Sequence, residues 1–362
     1  MDRVKHAMAV KAFWQEHGAG RPLDSPAQVL LEREDKWQAA MTVRPMQLYL
    51  RGAHIKAAAI GAPIFGVDDP LSQLSADKPR QQLAERLLTR AHTASLARGT
   101  ALLLTPAPDN GLLPHPWFGG VTWLESADMA TGRDSRFELR PLQESDIPRW
   151  LRLLEHRQFE ASLPLSASRC KRMMQAANMA PGGVALCLED GGRLRGVCFG
   201  AAWPEQAQIW MAVGDEAFYA ALEGHFFRQG VRRLQIDVEQ GQAMYLRANH
   251  IRRLQTAATV VDVETALNRV PVACDGVLRL HIDGDRPDSG LWEVRVEQGT
   301  SRVRRIEREP GMSFARASLG GLASLLFGYP AALRGMVDAC NLAARMYPPL
   351  ECGCWLDTRL GD

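Results

Sequence analysis

Two basic residues, Lys78 and Arg80, stand at the start of a predicted helix and shortly after a strand-like segment. The free N–H groups and the dipole of a helix N-terminus favour a negative charge, so this position suits a phosphate group. The spacing of apolar residues predicts a strand over 62–67 and a helix over about 79–98. We therefore expect a nucleotide-like cofactor, if one binds, to lie in the stretch Ala62–Leu88. The alternative is that both basic side chains are simply solvated.

The same stretch lacks part of the chemistry that a phosphate site needs. No glycine occurs between Gly66 and Gly99, although glycine is the residue that lets a backbone approach a phosphate closely. Asp68, Asp69 and Asp77 place negative charge where a pyrophosphate would lie. The sequence therefore predicts a cofactor-binding element that has lost some of its binding chemistry.

A second candidate for chemistry is His115, in a loop rich in proline, glycine and asparagine. A histidine titrates close to working pH and can act as a general base. The sequence offers no carboxylate partner for it, so a polar surface residue is the alternative. The aromatic residues Trp117, Phe118 and Trp123 follow. They would either line an acceptor pocket or pack in the core.

Other kinds of site find little support in the sequence. The patterns G-x-S-x-G, G-x-x-x-x-G-K-[ST], H-E-x-x-H and G-x-G-x-x-G do not occur. The 7 cysteines are scattered, and only Cys352 and Cys354 lie close together, in a C-x-C pattern that is a poor zinc signature. We expect reduced thiols and no metal site.

Composition limits the partners and the location of the protein. The chain has 362 residues, of which 46% are hydrophobic and 23% charged, as in ordinary globular proteins. A formal net charge of +2 gives no reason to expect nucleic acid or an anionic membrane as a partner. No apolar run reaches the roughly 18–20 residues that span a bilayer. The N-terminus has no apolar signal-peptide core, which predicts a cytoplasmic location.

Strand and helix signals divide the chain into three predicted domains, 1–130, 135–258 and 260–362. In the first, strands are predicted at 27–33, 37–43, 46–50 and 100–105, the apolar stretch 54–67 is predicted to supply one long strand or two short ones, and residues 128–134 read as a linker. In the second, the pattern predicts a strand at 136–142, helices at 147–158, 166–179 and 216–229, and strands at 183–189, 193–201, 208–213 and 233–238. In the third, it predicts strands at 277–282, 291–297 and 301–307 and helices at 318–327 and 331–345. The expected fold class is mixed α/β (α+β).

Several segments resemble one known family. RPLQESD (Arg140–Asp146), followed directly by a helix, is similar to the opening strand of the GNAT acetyltransferase fold. VVDVETAL (Val260–Leu267), followed by VLRLHIDGD and GLWEVRVEQG, resembles the junction before the sterol-carrier-like domain of the enhanced intracellular survival (Eis) acetyltransferases. The segment Ala317–Met336 is similar to that family's C-terminal helices. The resemblance implies two tandem GNAT-like domains followed by a sterol-carrier-protein-like α+β domain, and a homo-oligomer.

The resemblance also implies that the first domain binds acetyl-CoA. The residues that match the family's cofactor segment are Phe65, Gly66, Val67, Lys78, Arg80 and Gln82. Phe118 stands where the family has a tyrosine that protonates the CoA thiolate, and phenylalanine has no proton to give. The family uses a terminal carboxylate, usually on an aromatic residue, to deprotonate the amine. Here the matching group would be the α-carboxylate of Asp362.

Two hypotheses follow from these residues. The first is an acetyl-CoA-dependent N-acyltransferase that acts on a small-molecule amine, with weakened or altered chemistry. The second is a non-catalytic or repurposed GNAT scaffold that binds a protein partner or a small apolar ligand. Leu319–Phe327 would line the ligand cavity, unless this helix only covers its sheet. A third possibility is a different acyl donor, which would have to bind away from the acidic loop.

Overall fold

The computed structural model describes residues 28–34, 37–61, 63–67, 77–106, 119–130, 136–155, 166–179, 181–239, 246, 249–330 and 333–350. These residues form two compact units. Unit 1 contains the described residues up to Val121 together with Thr256–Leu350, and unit 2 contains those within Thr122–Gln255. The division into three domains stays a prediction.

Strands outnumber helices in the described part of the chain. The strands are β1 (Gln28–Glu34), β2 (Trp37–Leu50), β3 (Ala53–Ile60), β4 (Ile64–Val67), β5 (Leu102–Pro106), β6 (Gly119–Ala130), β7 (Leu139–Pro141), β8 (Gly183–Asp190), β9 (Arg193–Ala202), β10 (Gln206–Gly214), β11 (Arg233–Glu239), β12 (His250–Val260), β13 (Gly276–Ile282), β14 (Gly290–Glu297), β15 (Thr300–Ile306), β16 (Ala315–Ala317) and β17 (Arg334–Gly335). The helices are α1 (Asp77–Leu96), α2 (Ile147–Glu155), α3 (Ala167–Met179), α4 (Glu216–Arg228), α5 (Val263–Arg269), α6 (Leu319–Leu326) and α7 (Val337–Met346). None of these described helices is long and apolar enough to cross a membrane.

The first sheet of unit 1 carries α1 on one face. Strands β1, β2 and β3 are antiparallel neighbours, β3 runs parallel to β5, and β5 pairs with the end of β12. Leu83, Leu87 and Leu88 of α1 pack against buried strand residues such as Met41 and Leu103. This spacing puts the three leucines on one helix face, and burial of each contributes about 2 kcal/mol.

The second sheet of unit 1 has the strand order β15-β14-β13-β16-β17. Ser318 caps α6 by accepting a hydrogen bond from the N–H of Gly321 at 3.0 Å. The two parts of unit 1 meet at Arg51, in the β2–β3 turn. Its Nε donates to the carbonyl oxygen of Leu326 at 2.9 Å, and its guanidinium lies 5.6 Å from the ring centre of Tyr347.

Unit 2 is one sheet with the order β6-β11-β10-β9-β8-β7. The parallel pair β10 and β11 is connected by α4, as in a βαβ unit. Phe218, Leu222 and Phe226 of α4 pack on one face of this sheet. Trp150 of α2 and Met174 of α3 pack against residues of β8, β9 and β10 in a separate cluster. The mixed α/β fold class is confirmed.

Some predicted elements were wrong in their bounds. The two strands predicted at 37–43 and 46–50 are one strand, β2, in which Pro45 is exposed and lies beyond the residues that pair with β1. The predicted linker 128–134 begins inside β6, which ends at Ala130. The helix predicted at 331–345 is α7, which begins only at Val337, because Arg334–Gly335 pairs with β16 instead.

Candidate functional site

The strand that precedes α1 contains a β-bulge. Ile60 at the end of β3 pairs with Val43 of β2, and Ile64 at the start of β4 pairs with Ala40. The chain advances four residues from Ile60 to Ile64, whereas β2 advances three residues between Val43 and Ala40. One extra residue therefore lies between the two pairs. Bulges bend a strand and are common beside active sites. Here the bulge shifts the register of β4 on β2 by one residue relative to β3.

Glycine is required at this bulge by close contact rather than by a positive φ. The N–H of Gly61 donates to the carbonyl oxygen of Thr42 at 3.0 Å. A Cβ added at Gly61 would lie 2.5 Å from the Thr42 hydroxyl oxygen, well inside contact distance. The two strands can approach this closely because Gly61 has no side chain.

Beyond the bulge, β4 and the end of β5 do not pair with each other in the described part of the chain, and we call the space between these two strand ends the gap. Pairing of β3 with β5 ends at Ala59 and Leu104, whereas β5 continues to Pro106 with only β12 beside it. In the described part of the chain, β4 pairs with β2 alone. Alternate residues of an antiparallel strand direct their N–H and C=O groups to opposite edges. Some backbone donors within Ile64–Val67 therefore point into the gap.

The start of α1 lies at the same end of the sheet as this gap. Helix α1 connects the strand β3–β4 to the parallel strand β5, so its N-terminus follows the carboxyl end of β4. The guanidinium carbon of Arg80 lies 5.8 Å from the centre of the Phe65 ring, in a cation–π contact. The structure thus brings together two residues that the sequence singled out.

The remaining predicted site residues have different outcomes. Gly66 is buried in β4, opposite Gln38 of β2, and Gln82 is exposed on α1. Val67 ends β4 and Lys78 lies in the first turn of α1. His115, Phe118 and Asp362 lie outside the described residues, so their predicted roles stay predictions. In the described part of the chain, no three His, Cys, Asp or Glu side chains are grouped so that they could hold a metal ion.

Comparison with known proteins rests on structure alone. No protein-family model matches the chain, and no curated protein matches its sequence. A GCN5-related N-acetyltransferase from Kribbella flavida superposes with a TM-score of 0.63 at 16% identity, over 88% of this chain and 86% of that one. One from Anabaena variabilis gives 0.66 at 13% identity, over 88% and 89%. Eis1 from Mycobacterium abscessus gives 0.63 at 14% identity, over 97% and 95%.

This chain has the GNAT fold. At these identities the likeness establishes the fold and not the reaction. The bulged strand β3–β4, its separation from β5 and the crossover helix α1 are the elements of unit 1 that form the candidate site. The expectation of a GNAT-like fold is confirmed, whereas the sterol-carrier-like character of residues 260–362 stays a prediction.

In unit 2 the corresponding end of the sheet, where a helix follows a strand, is occupied by a side chain of that helix. Helix α4 follows the carboxyl end of β10, as α1 follows β4. The buried ring of Phe218 occupies the space beside Gly196 and Gly214, where added Cβ atoms would lie 2.2 Å and 2.0 Å from ring carbons. Asp215 accepts a hydrogen bond from the Phe218 N–H at 3.1 Å, which occupies a donor of the helix N-terminus with a carboxylate. A carboxylate already bound at this helix N-terminus disfavours a pyrophosphate there.

The segment Arg140–Asp146, which carried the resemblance, has a structural role in unit 2. Arg140 contacts the buried carboxylate of Asp146 at 2.7 Å and also pairs with Glu189 of β8. Hydrogen bonds from Arg140 hold the pKa of Asp146 well below its ordinary value, although burial acts in the opposite direction. Arg149 bridges the same two carboxylates. The pattern R-x-x-x-x-x-D therefore fixes the start of α2 against the sheet.

The bulge is the site feature that sequence reasoning missed. The stretch 54–67, predicted as one long strand or two short ones, contains Gly61, but no bulge was predicted there. A glycine next to a proline-containing pair, Ala62–Pro63, was the available signal. Such a signal marks an irregular backbone without saying which strand lies opposite.

Proposed function

We propose that this protein is an acyl-CoA-dependent N-acyltransferase that acts on a small-molecule amine. The observation that carries the proposal is the bulged strand β3–β4, which precedes α1 in the chain and whose last part, β4, has no pairing with β5 among the described residues. This arrangement offers backbone donors along one open edge and a helix N-terminus at its end. Acetyl-CoA is the proposed donor, by resemblance to the Eis acetyltransferases.

The residues of unit 1 fit the two ends of such a donor. N–H groups of Ile64–Val67 that face the gap would hydrogen-bond the pantetheine arm or polarise the thioester carbonyl. Lys78 and Arg80, in the first turn of α1, would contact the pyrophosphate. A positive side chain in the first turn opposes the helix dipole at a cost of about 0.3–1 kcal/mol, which a bound anion would offset.

The reaction would be a simple acyl transfer. Acyl-CoA supplies an acyl thioester when bound. The amine nitrogen attacks the thioester carbonyl carbon, a C–N bond forms, and the C–S bond breaks with release of the CoA thiolate. The amine loses one proton and the thiolate takes one up. The proposed base is the α-carboxylate of Asp362, with His115 as the other candidate.

The test of this function is release of the CoA thiol from acetyl-CoA in the presence of a panel of primary amines. Amine-dependent release is expected from the full chain. Arg80→Ala should raise the KM for acetyl-CoA roughly tenfold, since a charge-assisted contact contributes about 1.5–3 kcal/mol. The control, Arg86→Ala, removes an exposed arginine nearly two turns along the same helix and should leave KM unchanged.

The alternative is a scaffold that binds a ligand without transferring an acyl group. The absence of glycine after Gly66 favours it, because the loop cannot wrap a pyrophosphate as closely as a glycine-rich one. Binding of acetyl-CoA without thiol release for any amine would support this alternative. Equal KM values for Arg80→Ala and Arg86→Ala would remove Arg80 from the proposed site.

A further inference from the structure

Unit 2 contains a groove at one end of its sheet. The N-terminus of α4 lies at the other end. The groove has a volume of about 640 Å³, within the usual range for small-molecule sites. It lies where the parallel strands β10 and β11 begin, at Gln206 and Arg233. Strand β10 has 9 residues, so its two ends are separated by roughly 25–30 Å at 3.3 Å per residue.

The rim of the groove carries two arginines and a tryptophan. Arg232 and Arg233 are exposed, and neither guanidinium has a hydrogen bond or ion pair within the described part of the chain. Their backbone N–H groups both donate to the carbonyl oxygen of Glu205, at 2.9 Å and 3.1 Å, which fixes where the two side chains begin. Trp203 is 41% exposed and is held by a 2.8 Å hydrogen bond from its N–H to the carbonyl of Gln206.

The floor of the groove is polar. Asp128 of β6 is the pairing partner of Gln235 of β11, and Gln235 is the partner of Gln208 of β10. Residues directly opposite each other on neighbouring strands point to the same face of a sheet. The three half-buried side chains therefore form a polar row across three strands, in which the Gln208 amide has both a donor and an acceptor.

We propose that this groove binds a small ligand of the nucleotide class, a flat ring that carries a phosphate group. Arg232 and Arg233 match the anion, because paired guanidinium groups recognise phosphate through several hydrogen bonds. The exposed indole of Trp203 offers a stacking surface for the ring. The amide of Gln208 can bond the polar edge of the ring. An anion without a ring would leave the indole and the floor unused.

This site is separate from the proposed acyl-CoA site. That site belongs to unit 1, whereas every residue of the groove belongs to unit 2. No residue of α4 lines the groove, so the groove is also distinct from the N-terminus of α4, where Phe218 and Asp215 lie. The inference therefore stands whether or not unit 1 transfers an acyl group.

Isothermal titration of the full chain with AMP tests the proposal. AMP carries the ring and the phosphate together, adenosine carries only the ring, and inorganic phosphate carries only the anion. We expect AMP to bind at least about tenfold more tightly than either part, because each part makes only some of the contacts. The double variant Arg232→Gln/Arg233→Gln should lose at least about tenfold in AMP affinity, and Trp203→Leu should also weaken it.

Two control variants locate the binding. Arg193→Gln removes an exposed arginine at the start of β9 and should leave AMP affinity unchanged. Arg80→Ala should also leave it unchanged, since AMP is a part of CoA and could otherwise bind in unit 1. The proposal is overturned if AMP shows no binding at about 1 mM. It is also overturned if phosphate binds as tightly as AMP, or if Arg80→Ala abolishes AMP binding while the double variant retains it.

Discussion

At the bulge, the absence of a side chain on Gly61 lets two strands approach within contact distance. Among the described residues, the side chain that a Cβ would meet there is that of Thr42, whose hydroxyl oxygen would lie at 2.5 Å. The bulge in turn sets the direction of β4 and the position of its open edge. A single glycine and a single threonine therefore act together on the geometry of the proposed site.

A double-mutant cycle at these two residues tests that coupling. Gly61→Ala should lower the free energy of unfolding by roughly 1–3 kcal/mol, as for other overpacked sites. Adding Thr42→Ala should recover at least half of the loss, because it removes the atom that the new methyl group meets. Adding Thr42→Val, which keeps a carbon in the place of the hydroxyl oxygen, should recover nothing. Urea unfolding followed by circular dichroism measures the free energies, and strict additivity would contradict the account.

The sequence identified part of this site and missed the rest for a physical reason. The family resemblance indicated Phe65 and the strand-to-helix pattern indicated Arg80, and the two side chains contact each other in the structure. Neither indicated Gly61, because the role of Gly61 depends on Thr42 in another strand. Local patterns reveal the period of a strand but not the register of its partner. The roles of His115, Phe118 and Asp362 remain predictions.

Helix α1 also carries a half-buried ionisable group, His92. Burial and the positive charge of Arg286 lower the pKa of His92 from 6.5 to about 4, although a hydrogen bond with the backbone of Val260 raises it. Its Nε2 atom is buried with no hydrogen-bond partner among the described residues. The histidine is therefore neutral in the folded protein at neutral pH. Protonation of His92 would place a positive charge beside Arg286, so acid should weaken the packing of α1 near Val260 and Arg286.

Acid destabilises the folded protein through His92, because the pKa of this residue is lower in the folded chain than in the unfolded chain. Between pH 6.5 and about 4 the unfolded chain binds a proton at His92 and the folded chain does not, so acidification favours unfolding. We expect His92→Gln to reduce the loss of stability between pH 7 and pH 4.5 by about 1 kcal/mol, after allowing for partial solvent exposure. His54→Gln, at an exposed position, is the control. Thermal unfolding at a series of pH values measures the loss. If His92→Gln and His54→Gln lose the same stability between pH 7 and pH 4.5, His92 is not the group responsible.

Among the helices and strands, the spacing of apolar residues predicted those elements whose ends are marked by nearby turn or capping residues. Helix α1 was predicted over 79–98 and spans Asp77–Leu96, with Gly99 at a φ of 67° just after it. The hairpin β8–β9 follows its Asp190-Gly191-Gly192 turn as expected. Strand β12 was not predicted, since its sequence has no clear alternation and its pairing partner β5 lies about 150 residues earlier.

At the scale of the whole molecule, unit 1 joins residues from both ends of the described chain. The contacts of Arg51 with Leu326 and Tyr347 span nearly 300 residues, and no sequence pattern indicated them. Helix α6 is buried along its whole length, including Leu322 and Leu326. This favours a core role over a cavity-lining role for the segment Leu319–Phe327.

Binding of acyl-CoA in unit 1, and only there, is the central claim. The most direct measurement is isothermal titration of the full chain with acetyl-CoA, with free CoA in a parallel titration. The account predicts saturable binding with one acetyl-CoA per chain, because Phe218 and Asp215 fill the matching end of unit 2. No binding at about 1 mM acetyl-CoA, or two equivalent sites per chain, would contradict it.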